Sequence, residues 1–240
     1  MIQAIIEQAA HNAKVQFNVL DHVAGNIGNM STTGFKVRRF EQYINEAGTV
    51  NGTTRVDTSQ GTLMVTDRPL DIAIDGPGYI PVTQPDGQTA YTRDGRLAIN
   101  AQGYLVTMSG DIVGDGIQIS KGPEGYERLY IHPDGNVEVL KKGDSKATQV
   151  GQLRLVTFTN PEGLQRGGKN KMLPTESSGK PQLAAIGDGG TIKQRTLEHA
   201  NVSTFDQIGV TMRLNASVIS NMRIIKFSDE LYRQAVNLKQ

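Results

Sequence analysis

The sequence predicts an α+β fold: helices at the two ends of the chain pair in a coiled-coil module, with an all-β domain of short strands inserted between them. Three observations predict it. Apolar residues recur three and four apart from Ile2 to about Asn29. The same spacing returns from Phe205 to Leu238. Between Thr62 and Thr196, short apolar runs alternate with Gly-containing turns, and 27 of the 240 residues are Gly. The expected divisions are 1–34 (first helix), 35–61 (linker), 62–196 (β-rich domain) and 197–240 (last helix).

The first helix carries Ile2, Ile6, Ala9, Ala13, Leu20, Ala24 and Ile27 on one stripe. It contains no Pro, and Gly25 and Gly28 announce its end. It would span roughly 40 Å, and its Ala-rich stripe allows close approach of a partner. The stretch from Phe35 to Gly61 is polar and lacks strong periodicity, so a linker is expected.

Leu70, Ile72 and Ile74 alternate with Asp71, Ala73 and Asp75, the period of a strand. Tyr79–Val82 and Ala90–Thr92 flank Pro85-Asp86-Gly87. There Pro presets φ and Gly accepts a positive one. Leu97–Ile99 and Tyr104–Thr107 flank Asn100-Ala101-Gln102-Gly103, and Leu129–Ile131 and Val137–Leu140 flank Pro133-Asp134-Gly135-Asn136. Leu153–Phe158 reads as a further strand.

In the last helix, Ser203 and Asp206 resemble a capping box. Phe205, Ile208, Met212, Asn215, Ile219 and Met222 form its stripe, continued by Ile225, Ser228, Leu231, Ala235 and Leu238. At roughly 50 Å, such a helix needs cover for its apolar face. Two helices cover each other on one side only, so a multi-chain array is expected. Ile219 and Met222 should face Ile6, Ala9 or Ala13, in the same chain or a neighbour. Without that partner, the ends of an isolated, monomeric chain are expected to be largely disordered.

Composition excludes several functions. A formal net charge of +1 lacks the basic excess of a nucleic-acid binder. No run approaches the ~18 apolar residues of a spanning helix, so no direct membrane insertion is expected. With no Cys, disulfides and thiolate sites are impossible. The N-terminus lacks the apolar core of a cleaved signal peptide. Export, if it occurs, is expected by another route.

Four patterns imitate chemistry. Gly163-Leu164-Gln165-Arg166-Gly167-Gly168-Lys169-Asn170 approaches a phosphate loop. Asn170 replaces the needed hydroxyl, and Pro174 stops a following helix. Ser177-Ser178-Gly179-Lys180 matches S-x-x-K without its companion motifs. Asp71 and Asp75 share a strand face, but Asp beside Gly is usually a turn acceptor. His11 and His22 share a helix face roughly 16 Å apart, too far to share a metal. No catalytic residue, cofactor, metal or small-molecule substrate is expected. The competing reading from another class is a cell-wall carbohydrate-binding or hydrolytic β domain on a coiled-coil stalk.

Asn26-Ile27-Gly28-Asn29-Met30-Ser31-Thr32-Thr33-Gly34-Phe35-Lys36 resembles the N-x-A-N-x-x-T-x-G-F-K signature of the axial proteins of the bacterial flagellum, its rod and hook subunits. Gln60–Leu63 with Pro69–Tyr79, then Tyr91–Gly95, Gly103–Thr107, Phe158–Leu164 and Leu197–Val202 resemble further family motifs in order. Gly28 and Ala200 depart from the Ala and Ser usual there, and Ser31 from the common Asn.

The resemblance implies a structural rod subunit that polymerises helically into a hollow, torque-transmitting axis across the periplasm. Its implied partners are copies of itself, other rod and hook subunits, and the flagellar type III apparatus that exports it without a cleaved signal. The short segment between Lys36 and Gln60 favours a proximal-rod subunit, with a distal-rod or hook subunit as the alternative. The expected assembly interface comprises Ile6, Ala9, Ala13, Leu20, Asn26, Asn29, Thr33, Gly34, Phe35, Ile208, Met212, Asn215, Ile219 and Met222. Gly34 is expected at positive φ. Phe35, beside Lys36, Arg38 and Arg39, is expected as an anchor buried in a neighbouring subunit, the alternative being packing on its own C-terminal helix.

Overall fold

The computed structural model describes residues 2–46, 49–119, 126–184 and 190–237. Its contacts divide the chain into two compact units. One holds the residues up to Met30, Val37–Asp57 and those from Val202 on; the other holds Ser31–Lys36 and Thr58–Asn201.

In the helical unit, α1 spans Ile2–Gly28 and α2 spans Thr204–Asn237. Ser203 caps α2, its Oγ accepting the Asp206 N–H at 3.2 Å. The helices pack antiparallel. Asn26 bonds to Gln207 and Gln16 to Ser217, ten residues inward on each helix. The buried and half-buried positions facing the seam are Ala9, Asn12, Gln16, Val19, Val23 and Asn26 on α1. On α2 they are Gln207, Thr211, Leu214, Val218, Asn221, Ile225 and Ser228. Both sets alternate three and four, and polar residues are interleaved with the apolar ones on both helices. Their apolar centre is Val19, Val23 and Leu214, with Phe40 and Val210 against it.

The expected stripes supply only part of this seam, through Ala9, Ile225 and Ser228. Of the anticipated stripe on α1, only Ala9 is fully buried, and Ile6, Leu20, Ala24 and Ile27 are exposed. On α2, Ile219 and Met222 are exposed, so of the two expected settings only pairing with α1 of a neighbouring copy is left open to them. The stripe fails because Val19 and Val23, one position from Leu20 and Ala24, take the inner face. The side chains of Ile2 and Ala235, and Leu238 as a whole, lie outside the described residues.

The expected linker is instead a β-hairpin. Strand β1 (Arg38–Ile44) pairs antiparallel with β2 (Val50–Val56) over seven residues each. The Asn45 side chain accepts the Thr49 N–H at 2.8 Å and closes the turn. Two histidines of α1 hold this hairpin: His11 Nε2 lies 2.8 Å from the Val50 carbonyl and His22 Nε2 2.7 Å from Thr54 Oγ1.

The β unit contains a seven-stranded antiparallel sheet. Its strands in spatial order are Gln165–Arg166, Lys171–Leu173, Thr89–Thr92, Ile80–Thr83, Ile112–Val113, Leu105–Thr107 and Leu97–Ile99. A three-stranded meander joins Tyr126–Ile131, Asn136–Lys141 and Thr148–Gln152. Ile72–Asp75 pairs with Thr191–Gln194, and Leu63–Val65 with Thr196–Glu198. One core gathers Ile72, Ile74, Ile80, Val82, Leu97, Leu105, Val137 and Ile192 with their neighbours.

The three expected hairpins form, with Gly87, Gly103 and Gly135 at φ of 82°, 84° and 86°. Ile72, Ala73 and Ile74 are all buried, so that strand is covered on both faces rather than alternating. Of the strand expected at Leu153–Phe158, only Val156–Thr157 pairs regularly.

Candidate functional site: exposed helix faces and a buried signature segment

The signature segment turns after α1. Asn29 Nδ2 donates to the Gly25 carbonyl at 2.8 Å, closing the helix end. Gly34 then adopts φ +66°, as expected, and its N–H donates to the Glu198 carbonyl at 2.7 Å. A Cβ at Gly34 would overlap the Arg93 carbonyl, so both the dihedral and the close approach demand glycine. Asn170 Nδ2 donates to the Thr33 carbonyl at 2.8 Å, and the Asn201 N–H to the Phe35 carbonyl at 3.3 Å.

Phe35 is 1% exposed, and the Arg166 guanidinium lies 3.9 Å from its ring centroid. It belongs to the core of its own β unit. That corrects the expectation of an exposed anchor.

Lys36, equally buried, sits 2.6 Å from Glu198 Oε1 and donates to the Ser59 carbonyl. Arg93 Nη1 meets Glu198 Oε2 at 2.9 Å, and its Nη2 donates to the Gly76 carbonyl. The Gly61 N–H completes the set on Glu198 Oε1 at 2.8 Å. One carboxylate thus serves two buried cations and a backbone amide, drawn from three other stretches of chain. Tyr79 lies beneath Arg93, 5.4 Å from its ring centroid. Burial pushes the Tyr79 hydroxyl above its usual range, opposed by Arg93 and aided by Glu198. Arg93 and Glu198 were not singled out from the sequence. Their one signal was position, inside two family-like motifs.

The expected interface residues separate by location. Ala9 and Asn26 are buried in the seam of their own chain, and Asn29 is half-buried at the helix end. Thr33, Gly34 and Phe35 are buried in the β unit. Ile6, Leu20, Ile208, Met212, Asn215, Ile219 and Met222 are exposed, and Ala13 is half-buried. The exposed positions form a second pattern. On α1, Ile6, Ala10, Ala13, Phe17, Leu20, Ala24 and Ile27 recur four and three apart. On α2, Phe205, Ile208, Met212, Asn215, Ile219 and Met222 recur three and four apart. Phe205 is 84%, Met212 68% and Ile219 51% exposed.

The sequence patterns that imitate chemistry serve structure. Gly167–Asn170 is a hairpin tip with Lys169 and Asn170 both at φ 56°. Ser178 is fully buried, its Oγ donating within the turn and accepting the Thr175 N–H. Asp71 Oδ2 accepts from Thr66, while Asp75 pairs with Lys193 at 2.6 Å. Lys193, first through its hydrogen bond and then its charge, holds the Asp75 carboxyl below the usual range. Among the described residues no three His, Asp or Glu side chains cluster to hold a metal, and no helix is long and apolar enough to cross a membrane.

Two paired helices with bare apolar faces, and a β unit whose buried charges tie its ends together, define a structural protein built to be covered by other chains. Residues 73–139 match the family described as the flagellar hook protein FlgE/F/G D1 domain. The chain is 34% identical to the flagellar basal-body rod protein FlgG of Caulobacter vibrioides, over 99% of this chain and 100% of that protein. It is 34% identical to the FlgG rod protein of Bacillus subtilis (92% and 93% covered) and 33% identical to the FlgF rod protein of Caulobacter vibrioides (90% and 90% covered). The chain belongs to the flagellar basal-body rod and hook protein family.

Proposed function

We propose that this chain is a structural subunit of the flagellar basal-body rod that polymerises through its exposed helix faces. The carrying observation is the distribution of polarity across the helices. The seam inside the chain holds Asn12, Gln16, Asn26, Gln207 and Asn221, whereas Phe17, Phe205, Ile208, Met212, Ile219 and Met222 face outward. An isolated protein gains nothing from exposing that much apolar surface, and removing it from water stabilises association at about 25 cal/mol per Å².

The three-and-four spacing of both seams supports coiled-coil packing within and between chains. Contacts of α1 on one copy with α2 on the next are heterologous and need not close, which is the geometry of a helical filament. Copies of itself and other axial subunits are then the partners, the rod is the hollow shaft that carries torque across the periplasm, and the type III apparatus is the export route. The short hairpin at 38–56 supports a proximal position. Its alignment with the Caulobacter FlgG runs 265 columns against 240 residues here, so that relative carries segments this chain lacks.

Purified basal bodies from cells producing the tagged chain test this proposal. The chain should co-purify with the rod, and Met212→Asp with Ile219→Asp should remove it while leaving the soluble chain folded. A rod assembled normally from that double variant would refute the proposed interface. Labelling of the proximal segment decides the position.

A further inference from the structure

Asn26 is 2% exposed and is the point where three elements of the helical unit meet. Its Nδ2 donates to the Arg38 carbonyl at 2.8 Å and to Gln207 Oε1 at 3.2 Å, and its Oδ1 accepts the Arg38 N–H at 3.0 Å. One carboxamide therefore satisfies both backbone groups at the start of β1 and reaches the first turn of α2. We propose that Asn26 is a positioning residue: with Gln207 it sets the register of α2 against α1, and so which apolar positions the chain presents for assembly.

The physical reason lies in what the rest of the seam fails to specify. Its apolar centre is short, Val19 and Val23 against Leu214. One turn along α2 in either direction the seam offers similar small or branched residues, Thr211 and Val218. Apolar contact alone would tolerate a slip of one turn, about 5.4 Å. A slip that brought Val210 or Thr211 opposite Asn26 would carry the Gln207 carboxamide away, offering Nδ2 no acceptor or a shorter hydroxyl in its place, and would lose the 3.2 Å bond across the seam. A buried Asn that fixes register at some expense of stability is the best-attested use of polar groups in helix seams. Because the exposed stripe of α2 is rigidly tied to its seam, one turn of slip displaces Phe205, Met212 and Ile219 together.

The assembly part of this proposal rests on the rod function above; the register part does not. The chain has no Cys, so engineered pairs report register without background. Gln16→Cys with Ser217→Cys replaces a hydrogen-bonded pair across the seam, leaving register to Asn26 and Gln207. Oxidation of the full-length chain should give the 16–217 cross-link. Gln16→Cys with Leu214→Cys, or with Asn221→Cys, detects a slip of one turn.

Adding Gln207→Met should lower the ratio of 16–217 to slipped product about fivefold, the weight of one net hydrogen bond, as the 214 or 221 product rises. Asn26→Leu should lower it further and exclude the chain from basal bodies. Should Asn26→Leu fail to fold, Gln207→Met decides, because it leaves the bonds between Asn26 and Arg38 intact. An unchanged ratio of 16–217 to slipped product in Gln207→Met, or no 16–217 product in the chain that keeps Asn26 and Gln207, overturns the register role. Slipped register with normal rod assembly overturns its importance for assembly. A parent chain in correct register that never enters the basal body refutes the rod function instead.

Discussion

Replacing Glu198 by Gln is expected to destabilise the β unit by about 3–5 kcal/mol, the usual cost of breaking a buried ion pair by removing one partner. The carboxylate is 1% exposed and meets Lys36 at 2.6 Å and Arg93 at 2.9 Å, with the Gly61 N–H at 2.8 Å. Gln keeps the shape but offers one acceptor oxygen and turns an NH2 toward a cation. It also leaves two buried positive charges with no counter-charge between them. For a chain of this size each kcal/mol moves the melting point by about 2–4 °C, so a drop on the order of 10 °C is expected.

Lys36→Met supplies the internal control. It removes one cation and leaves the Glu198–Arg93 pair neutral, so it should cost less than Glu198→Gln. The chain has no Trp, so calorimetry or circular dichroism is the assay. A Glu198→Gln protein that melts within about 2 °C of the parent, or that is more stable than Lys36→Met, would refute the account of a charge-balanced cluster.

Phe35→Ala should cost the β unit about 3–5 kcal/mol in urea unfolding, because a buried Phe leaves a cavity; an unchanged midpoint with lost rod incorporation would restore the surface-anchor role. Ile219→Asp should change the melting point of the isolated chain by less than ~0.5 kcal/mol equivalent, as exposed substitutions do, while abolishing assembly in a motility assay. Asp111 loses solvation by burial, but hydrogen bonds from Lys171, Ser109 and Thr107, with the charge of Lys171, outweigh this and hold its carboxyl below the usual range. Its contribution is therefore present above the unfolded carboxylate value of about 3.9 and is lost as pH falls through the lower folded one. Asp111→Asn should flatten that acid limb in melts taken across pH 2–5.

Turn chemistry was the most legible part of the sequence. Pro85-Asp86-Gly87, Asn100–Gly103 and Pro133–Asn136 each carry their conformational reason locally, and each forms. The hairpin at 38–56 was hidden because it is two-stranded and mostly exposed: burial in Arg38–Ile44 alternates only over the first four residues, one of the covered positions being Arg38, so it leaves no trace in hydropathy. The helices were legible as helices but not as to which face meets which. Periodicity locates an apolar stripe, and the stripe with most Ile and Met is the one the chain leaves bare. The buried cluster was invisible because charge in a sequence carries no label of depth. Lys36 read as part of a basic run with Arg38 and Arg39, yet only Lys36 is fully buried with an acid on its amine.

The two buried polar features share one logic. An ion cluster in the β unit and a carboxamide pin in the helical unit are both poor ways to gain stability, since desolvation offsets most of what the contacts return. Replacing such groups by apolar residues of similar volume is often neutral or stabilising. What polar groups add is discrimination: a charge or a carboxamide in the wrong place is costly, whereas an apolar side chain in the wrong place is tolerated. In a monomer working alone a turn of slip between α1 and α2 would matter little. In a filament, where every copy repeats the same contacts, the same slip moves the apolar stripe of α2 by about 5.4 Å along the helix at every interface. On the proposed rod function, the buried carboxamide at Asn26 is thus better explained by demands on geometry in a repeating assembly than by the stability of a single chain.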